Sequence, residues 1–340
     1  MTQLARVGLL LLVMVASALA QVRDTEPAAA TAPAATATAT APAAAVAPEA
    51  GVARAPLVER LGEEAARAQA QLYDYDNGLP LEARVVEKVD RDGAPREKIV
   101  FRGAQGFLVP AYLQLPASGA GPHPCVLLLH GWSGGKENWW QDGNYISGGN
   151  ARRALLAAGY AVLALDAQCH GDRIAENDFA PVNHYVEPAA GEQPRKGYFT
   201  LPDIYVQTVR DYRRAIDFLA SRSEIDKQRI GVLGYSMGGT QTFVLTGVEP
   251  RVKVAVAVAA PAEKSKWAVV APQNFVRAIG VRPFRTIIGT SDELCPREHA
   301  KELQTLFEAG AAQDQILFDA GHKLPADYVP RAVEWFEKHL

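Results

Sequence analysis

Ser236 sits in Gly234-Tyr235-Ser236-Met237-Gly238-Gly239, directly after the strand-like run Arg229-Ile230-Gly231-Val232-Leu233 and before helical sequence. A Gly-x-Ser-x-Gly segment between a strand and a helix can hold its serine in a strained turn with the hydroxyl exposed, because the glycines let backbone and helix approach closely. The bare pattern is common among proteins, and its strand-turn-helix context is what gives it weight here. A serine hydroxyl is a poor nucleophile at neutral pH. It needs a histidine to take its proton and a carboxylate to hold that histidine in the right tautomer. Of the seven histidines, only His299, His322 and His339 follow Ser236. His322 ends Phe318-Asp319-Ala320-Gly321-His322, just past the last predicted strand, where a loop can swing it over the serine. His299, on a predicted helix, and His339, at the end of the closing helix, read as surface residues. The Met237 backbone N–H, at the start of the helix after the serine, is placed to receive a developing oxyanion.

Such residues work only if strands carry them to one edge, and the pattern of the chain supplies those strands. Glu59 to Leu72 reads as a helix, followed by two extended stretches, Ala83 to Asp90 and Lys98 to Leu115, that look like an antiparallel lead-in. From Pro124 onward short apolar runs alternate with amphipathic stretches. The runs are Cys125–Leu129, Ala161–Leu165, Ile230–Leu233, Val252–Ala260, Thr286–Ile288 and Gln315–Phe318, as expected of strands buried on both faces of a parallel sheet. Crossover helices are expected at Ala151–Ala158, Ile204–Ser221, Thr240–Thr246 and Glu298–Ala309, with a closing helix at Ala326–His339. The fold class is therefore α/β, a mostly parallel doubly wound sheet flanked by helices and preceded by antiparallel lead-in strands. In such sheets ligands gather at the carboxyl ends of the strands.

With these motifs in place, the chain from about Lys98 to its C-terminus resembles the α/β-hydrolase family, especially its dienelactone hydrolase-like and acetyl xylan esterase-like branch. The motifs that carry the resemblance are Leu129-His130-Gly131-Trp132, the segment from Leu165 through Asp166, Cys169, His170 and Gly171 to Asp172, Gly234 to Gly239, Gly289-Thr290-Ser291-Asp292 and Ala320-Gly321-His322. The resemblance implies the α/β-hydrolase fold, the chain order nucleophile, acid, base, and Asp292 as the acid, with Glu293 next to it and Glu263 after the preceding strand as alternatives. It also implies that the Trp132 backbone N–H is the second oxyanion donor, and that His130 braces its loop. Dienelactone hydrolase proper has a cysteine in the elbow, so Ser236 argues against dienelactone hydrolysis itself. The implied activity is that of a serine esterase cleaving carboxylic esters, short-chain or acetyl esters in particular, through an acyl-enzyme. A prolyl oligopeptidase-like serine peptidase and a noncatalytic binding protein of the same fold are the alternatives. The peptidase group usually carries an N-terminal propeller, which the roughly 60 residues between linker and core are too few to build.

The segment Ser133 to Asn150 is rich in glycine and aromatics. Trp139, Trp140 and Tyr235 are candidate substrate-binding residues, with Tyr145 close by, although aromatics in such places often only pack a loop. The stretch from 171 to 202 has little periodicity and is a candidate lid. Asp166, Asp172 and His170 could suggest a metal, but the matching family segment is structural; no metal and no cofactor are expected. The net charge of −3 over 340 residues gives no reason to expect a nucleic-acid partner. A small-molecule or polysaccharide-borne ester fits better. Residues 1–20 have one early cation, Arg6, an apolar run from Val7 to Ala16 and a small-x-small site ending at Ala20, which predicts a cleaved signal peptide, a secreted or periplasmic protein and no stable membrane insertion thereafter. Residues 21–56, mostly Ala, Thr and Pro, read as a linker to a hydrolase domain over 57–340. Cys125, Cys169 and Cys295 are too few and too scattered for a disulfide framework.

Overall fold

Alternation along single strands explains how the chain builds two cores on one sheet. In β4 (His123–Leu129), Leu127 and Leu129 point to one face while Val126 and Leu128 point to the other, and all four are fully buried. The same two-sided burial holds for β5 (Ala161–Leu165) and for most of β7 (Val252–Val258), so neither face is left to water. The computed structural model describes residues 56–177, 179 and 199–340. The expected signal peptide, nearly all of the expected linker and most of the candidate lid lie outside the described residues.

The remaining strands are β1 (Arg84–Arg91), β2 (Ala94–Arg102), β3 (Leu108–Gln114), β6 (Ile225–Tyr235), β8 (Phe284–Gly289) and β9 (Gln313–Phe318). They form one sheet in the order β1-β2-β3-β5-β4-β6-β7-β8-β9. The pairs from β1 through β3 to β5 are antiparallel; from β5 onward every pair is parallel. The expected stretch Lys98 to Leu115 is thus two strands rather than one. The chain turns at Gly103 to Phe107, where the Gly103 N–H bonds to the Phe107 carbonyl at 2.8 Å and Gly106 has a φ of +80°. Ile99-Val100-Phe101 and Leu108-Val109 are equally apolar, which hides this short turn from a hydropathy reading.

The helices are α1 (Glu63–Ala70), α2 (Gly148–Ala157), α3 (Arg173–Asn177), α4 (Leu201–Ala220), α5 (Met237–Val248), α6 (Val276–Ile279), α7 (Arg297–Gln304) and α8 (Tyr328–His339). Thr200 caps α4: its hydroxyl accepts the Asp203 N–H, and the Asp203 carboxylate accepts the Thr200 N–H at 2.7 Å. Val209, Tyr212, Ile216 and Leu219 of α4 then cover Leu127, Leu163 and Val232 on one face. On the other face, α2 and α8 bring Leu155, Tyr328, Val333 and Phe336 over Val126, Val162, Leu233 and Val256. Among the described residues no helix is long and apolar enough to cross a membrane.

The register fixes where the strands end. Leu129 pairs with Gly234, Tyr235 with Val258, and Gly289 with Phe318. The segments that follow β4, β6, β8 and β9 therefore emerge side by side along one edge.

Candidate active site

Ser236 follows β6 directly and opens α5. Its backbone is at φ 57°, ψ −118°, in the left-handed half of conformational space that a non-glycine residue rarely enters. The surroundings impose this conformation. The Ser236 N–H bonds to the Val258 carbonyl at 2.9 Å, and the Ser236 carbonyl accepts the Thr240 N–H at 3.0 Å. A side chain on Gly238 would overlap the Leu129 carbonyl, so only glycine lets α5 begin this close to β4. The serine Oγ is held up from the turn as the sequence requires.

His322 and Asp292 reach it from the loops after β9 and β8. The His322 Nε2 lies 2.9 Å from the Ser236 Oγ, and the His322 Nδ1 lies 2.9 Å from the Asp292 Oδ2. Asp292 is wholly buried, and its other oxygen accepts the Leu294 and Cys295 N–H groups at 2.9 and 3.2 Å. Those bonds aim Oδ2 at the imidazole, so Nδ1 carries the proton and Nε2 faces the serine as an acceptor. Glu293 is exposed, while the Glu263 carboxylate accepts the Ser265 N–H; Asp292 is the carboxylate on His322. His299 is not on the surface as expected but buried, its Nε2 3.4 Å from the Glu263 carbonyl, and burial lowers its pKa. His339 packs against Trp335 with ring centroids 4.1 Å apart and the planes tilted by 57°.

The backbone donors sit where the register puts them. Among the described residues neither the Met237 N–H nor the Trp132 N–H bonds to a protein acceptor. The first N–H groups of a helix have no partner within it, so Met237 presents a free donor beside Ser236. The Trp132 N–H follows Gly131, whose absent side chain would point at the Ser236 Cβ from 3.4 Å. One free N–H thus adjoins Ser236 in the chain, and the other follows the glycine that faces it.

The loop that carries Trp132 is fastened by a buried ion cluster that the sequence does not mark, and by the His130 ring expected to brace it. The Lys136 ammonium is buried between Asp166 and Asp172, with Nζ 2.8 Å from a carboxylate oxygen of each. Burial acts to lower its pKa, but the Asp166 and Asp172 carboxylates outweigh it and raise the pKa above the usual lysine value. Burial likewise pushes Asp172 up, and the bonds to Lys136 and Lys98 outweigh it and hold the carboxyl at about 2. Asp166 and Asp172 are spent on this ammonium. His130 donates from Nδ1 to the Gly131 carbonyl at 2.8 Å and accepts the Ala167 N–H on Nε2, and burial lowers its pKa to about 4. His170 stands beside it, lowered to about 3 chiefly by burial.

Two of the three candidate substrate aromatics present no surface to a substrate. Trp139 is fully buried in the core with Val126 and Leu128. Tyr235 is also fully buried, and its hydroxyl donates to the His322 carbonyl at 2.8 Å while accepting the Leu324 N–H at 2.9 Å. It holds the loop of the histidine. Trp140 is half-buried, with its indole N–H on Gln114 at 2.9 Å and its ring against Tyr112.

A strained serine at a strand-helix turn, with its histidine and carboxylate carried by later strands of a parallel sheet, defines a hydrolase of the α/β type. Residues 126–335 match the alpha/beta hydrolase family, and the chain belongs to that family. It is 26% identical over 263 residues to a Bacillus subtilis protein named "Putative hydrolase YtaP", spanning 68% of this chain and 83% of that one. It is 24% identical to a Yersinia pestis protein named "Putative carboxymethylenebutenolidase", over 69% of this chain and 86% of the other. The acetyl xylan esterase 1 structure from Thermoanaerobacterium sp. JW/SL YS485 superposes with a TM-score of 0.64 at 16% identity, covering 83% of this chain and 95% of that one.

Proposed function

We propose that this protein is an exported serine hydrolase that cleaves carboxylic esters, acetyl and other short-chain esters in particular, through an acyl-enzyme. The observation that carries the reading is the continuous relay from Asp292 through His322 to the Oγ of a strained Ser236, with both contacts at 2.9 Å. His322 takes the serine proton on Nε2 as Oγ attacks the ester carbonyl, and Asp292 stabilises the imidazolium that forms. The negative charge moves to the carbonyl oxygen, toward the Trp132 and Met237 N–H groups. Collapse of the adduct expels the alcohol, which receives the proton from Nε2. Water then attacks the acyl-serine by the same route and frees the acid. The names of the relatives and of the superposed esterase support an ester as substrate. Export rests on the leader-like pattern of residues 1–20.

A fluorophosphonate probe, which reacts with activated serines, tests the reading. Wild type is expected to be labelled and to hydrolyse p-nitrophenyl acetate faster than the octanoate. Ser236→Ala is expected to lose labelling, and Ser236→Ala and His322→Ala each to lose at least about a thousandfold in kcat. A folded wild type that resists the probe and leaves every ester intact would overturn it. Mass spectrometry of the exported protein checks the leader, with a mature chain beginning at Gln21 as the expected result.

A further inference from the structure

Tyr145 lies in the loop between β4 and α2, thirteen residues past Trp132, in a segment whose neighbouring aromatics turned inward to packing. Its ring stands perpendicular to the Tyr235 ring at 5.7 Å, and Tyr235 in turn meets His322. Its hydroxyl has a different address. A Cβ placed on Gly131 would collide with the Tyr145 Oη and would lie 3.4 Å from the Ser236 Cβ. The hydroxyl therefore occupies the space over the Gly131 Cα, where a Cβ would also meet Ser236. This is the β4 side of Ser236, whereas His322 arrives from the β9 side, across β7 and β8. Tyr145 is half-buried, and among the described residues its hydroxyl bonds to no protein group. The ring is fixed by packing while the O–H, beside Gly131, is left free.

We propose that the Tyr145 hydroxyl is a third donor to the oxyanion, beside the Trp132 and Met237 N–H groups. The inference rests on the esterase reading of the site. As Ser236 Oγ bonds to the carbonyl carbon, the π pair of the carbonyl moves onto its oxygen, and Tyr145 donates a hydrogen bond to that oxygen without giving up its proton. Burial supports this division of labour by raising the phenol to about 12, so it remains a donor throughout the neutral range. The same placement explains why residue 131 must be glycine: any side chain there would fill the donor's seat.

The test is Tyr145→Phe, which keeps the ring against Tyr235 and removes only the hydroxyl. Kinetics on p-nitrophenyl acetate, affinity for a boronic acid that mimics the tetrahedral adduct, and melting temperature are read together. The expected result is a kcat lower by about ten- to a hundredfold, KM within about twofold, a parallel loss of boronic acid affinity and a melting temperature within about 2 °C of wild type. A kcat within about twofold of wild type overturns the proposal, as does a lower kcat accompanied by a large fall in melting temperature and undiminished boronic acid affinity. Gly131→Ala is the second variant. It is expected to lose activity in the wild-type background and to lose markedly less when combined with Tyr145→Phe, whereas equal losses in both backgrounds also overturn it. A wild type that is inert to the fluorophosphonate probe overturns the reading of the site itself, and with it this inference.

Discussion

At the residue scale the relay was readable because strand ends are readable. Ser236, Asp292 and His322 each follow an apolar run closely, and a parallel sheet delivers such positions to one edge whatever their separation in sequence. The role of Tyr235 was not readable, because its hydroxyl partners, His322 and Leu324, are 87 and 89 residues away and are backbone atoms that leave no trace in residue types. Tyr235 is a candidate substrate-binding residue by sequence, and the fold instead gives it the task of holding the histidine loop. Tyr235→Phe keeps the ring between Tyr145 and Tyr328 but leaves the His322 carbonyl and the Leu324 N–H unpaired. The expected loss is about 1–3 kcal/mol of stability for those orphaned groups. A histidine loop shifted by part of an ångström should also cost roughly tenfold in kcat. Urea unfolding and the pH dependence of ester hydrolysis check the two effects separately. Unchanged values in both would show that the hydroxyl does not hold the base.

Elements bring in partners that spacing alone hides. The strands from β4 onward and the helices between them were visible as alternating apolar runs, whereas the turn at Gly103 to Phe107 was not, because both flanks carry the same hydropathy. The loop from Ser133 to Asn150 was recognised by its aromatics, yet its anchor is a lysine. Lys136 lies 30 residues before Asp166 and 36 before Asp172, and nothing in those distances marks them as contacts. Breaking a buried ion pair from one side costs far more than the pair contributes, because the remaining charge has lost both water and partner. Lys136→Met is expected to destabilise the fold by about 3–5 kcal/mol, with part of that recovered when Asp166→Asn removes the stranded charge. Denaturant midpoints of the single and double variants measure this. A single variant within about 1 kcal/mol of wild type would mean that packing of the loop, rather than the ion pair, fixes Trp132.

Over the whole molecule, the sheet excludes water from both faces and carries two histidines down with it. His130 and His170 are buried as neutral rings, with Lys136 further opposing protonation of His130, and with Asp166 favouring and Arg173 opposing that of His170. Their folded pKa values, about 4 and about 3, lie below the ordinary 6.5, so the unfolded chain binds their protons at higher pH than the folded chain does. The stability they contribute is fully present above pH 6.5 and is lost as pH falls toward their folded values. At pH 5 each has given up roughly 2 kcal/mol, about 4 kcal/mol for the pair, by the linkage between proton binding and folding. This window precedes the acid limb of Asp172, whose carboxyl protonates only near pH 2 in the folded state. Urea unfolding from pH 7.5 to 4.5 is therefore expected to show stability falling with a slope to which these two rings contribute about two protons per molecule below pH 6, the lowered His299 and His339 adding to it. His130→Asn, whose amide can keep one of the two loop bonds but does not titrate in this range, should remove about one proton from that slope even if its absolute stability drops. A wild-type slope near zero between pH 6 and 5 would mean that the two rings become protonated within the fold, and that the bracing of the Trp132 loop does not depend on their neutral tautomers.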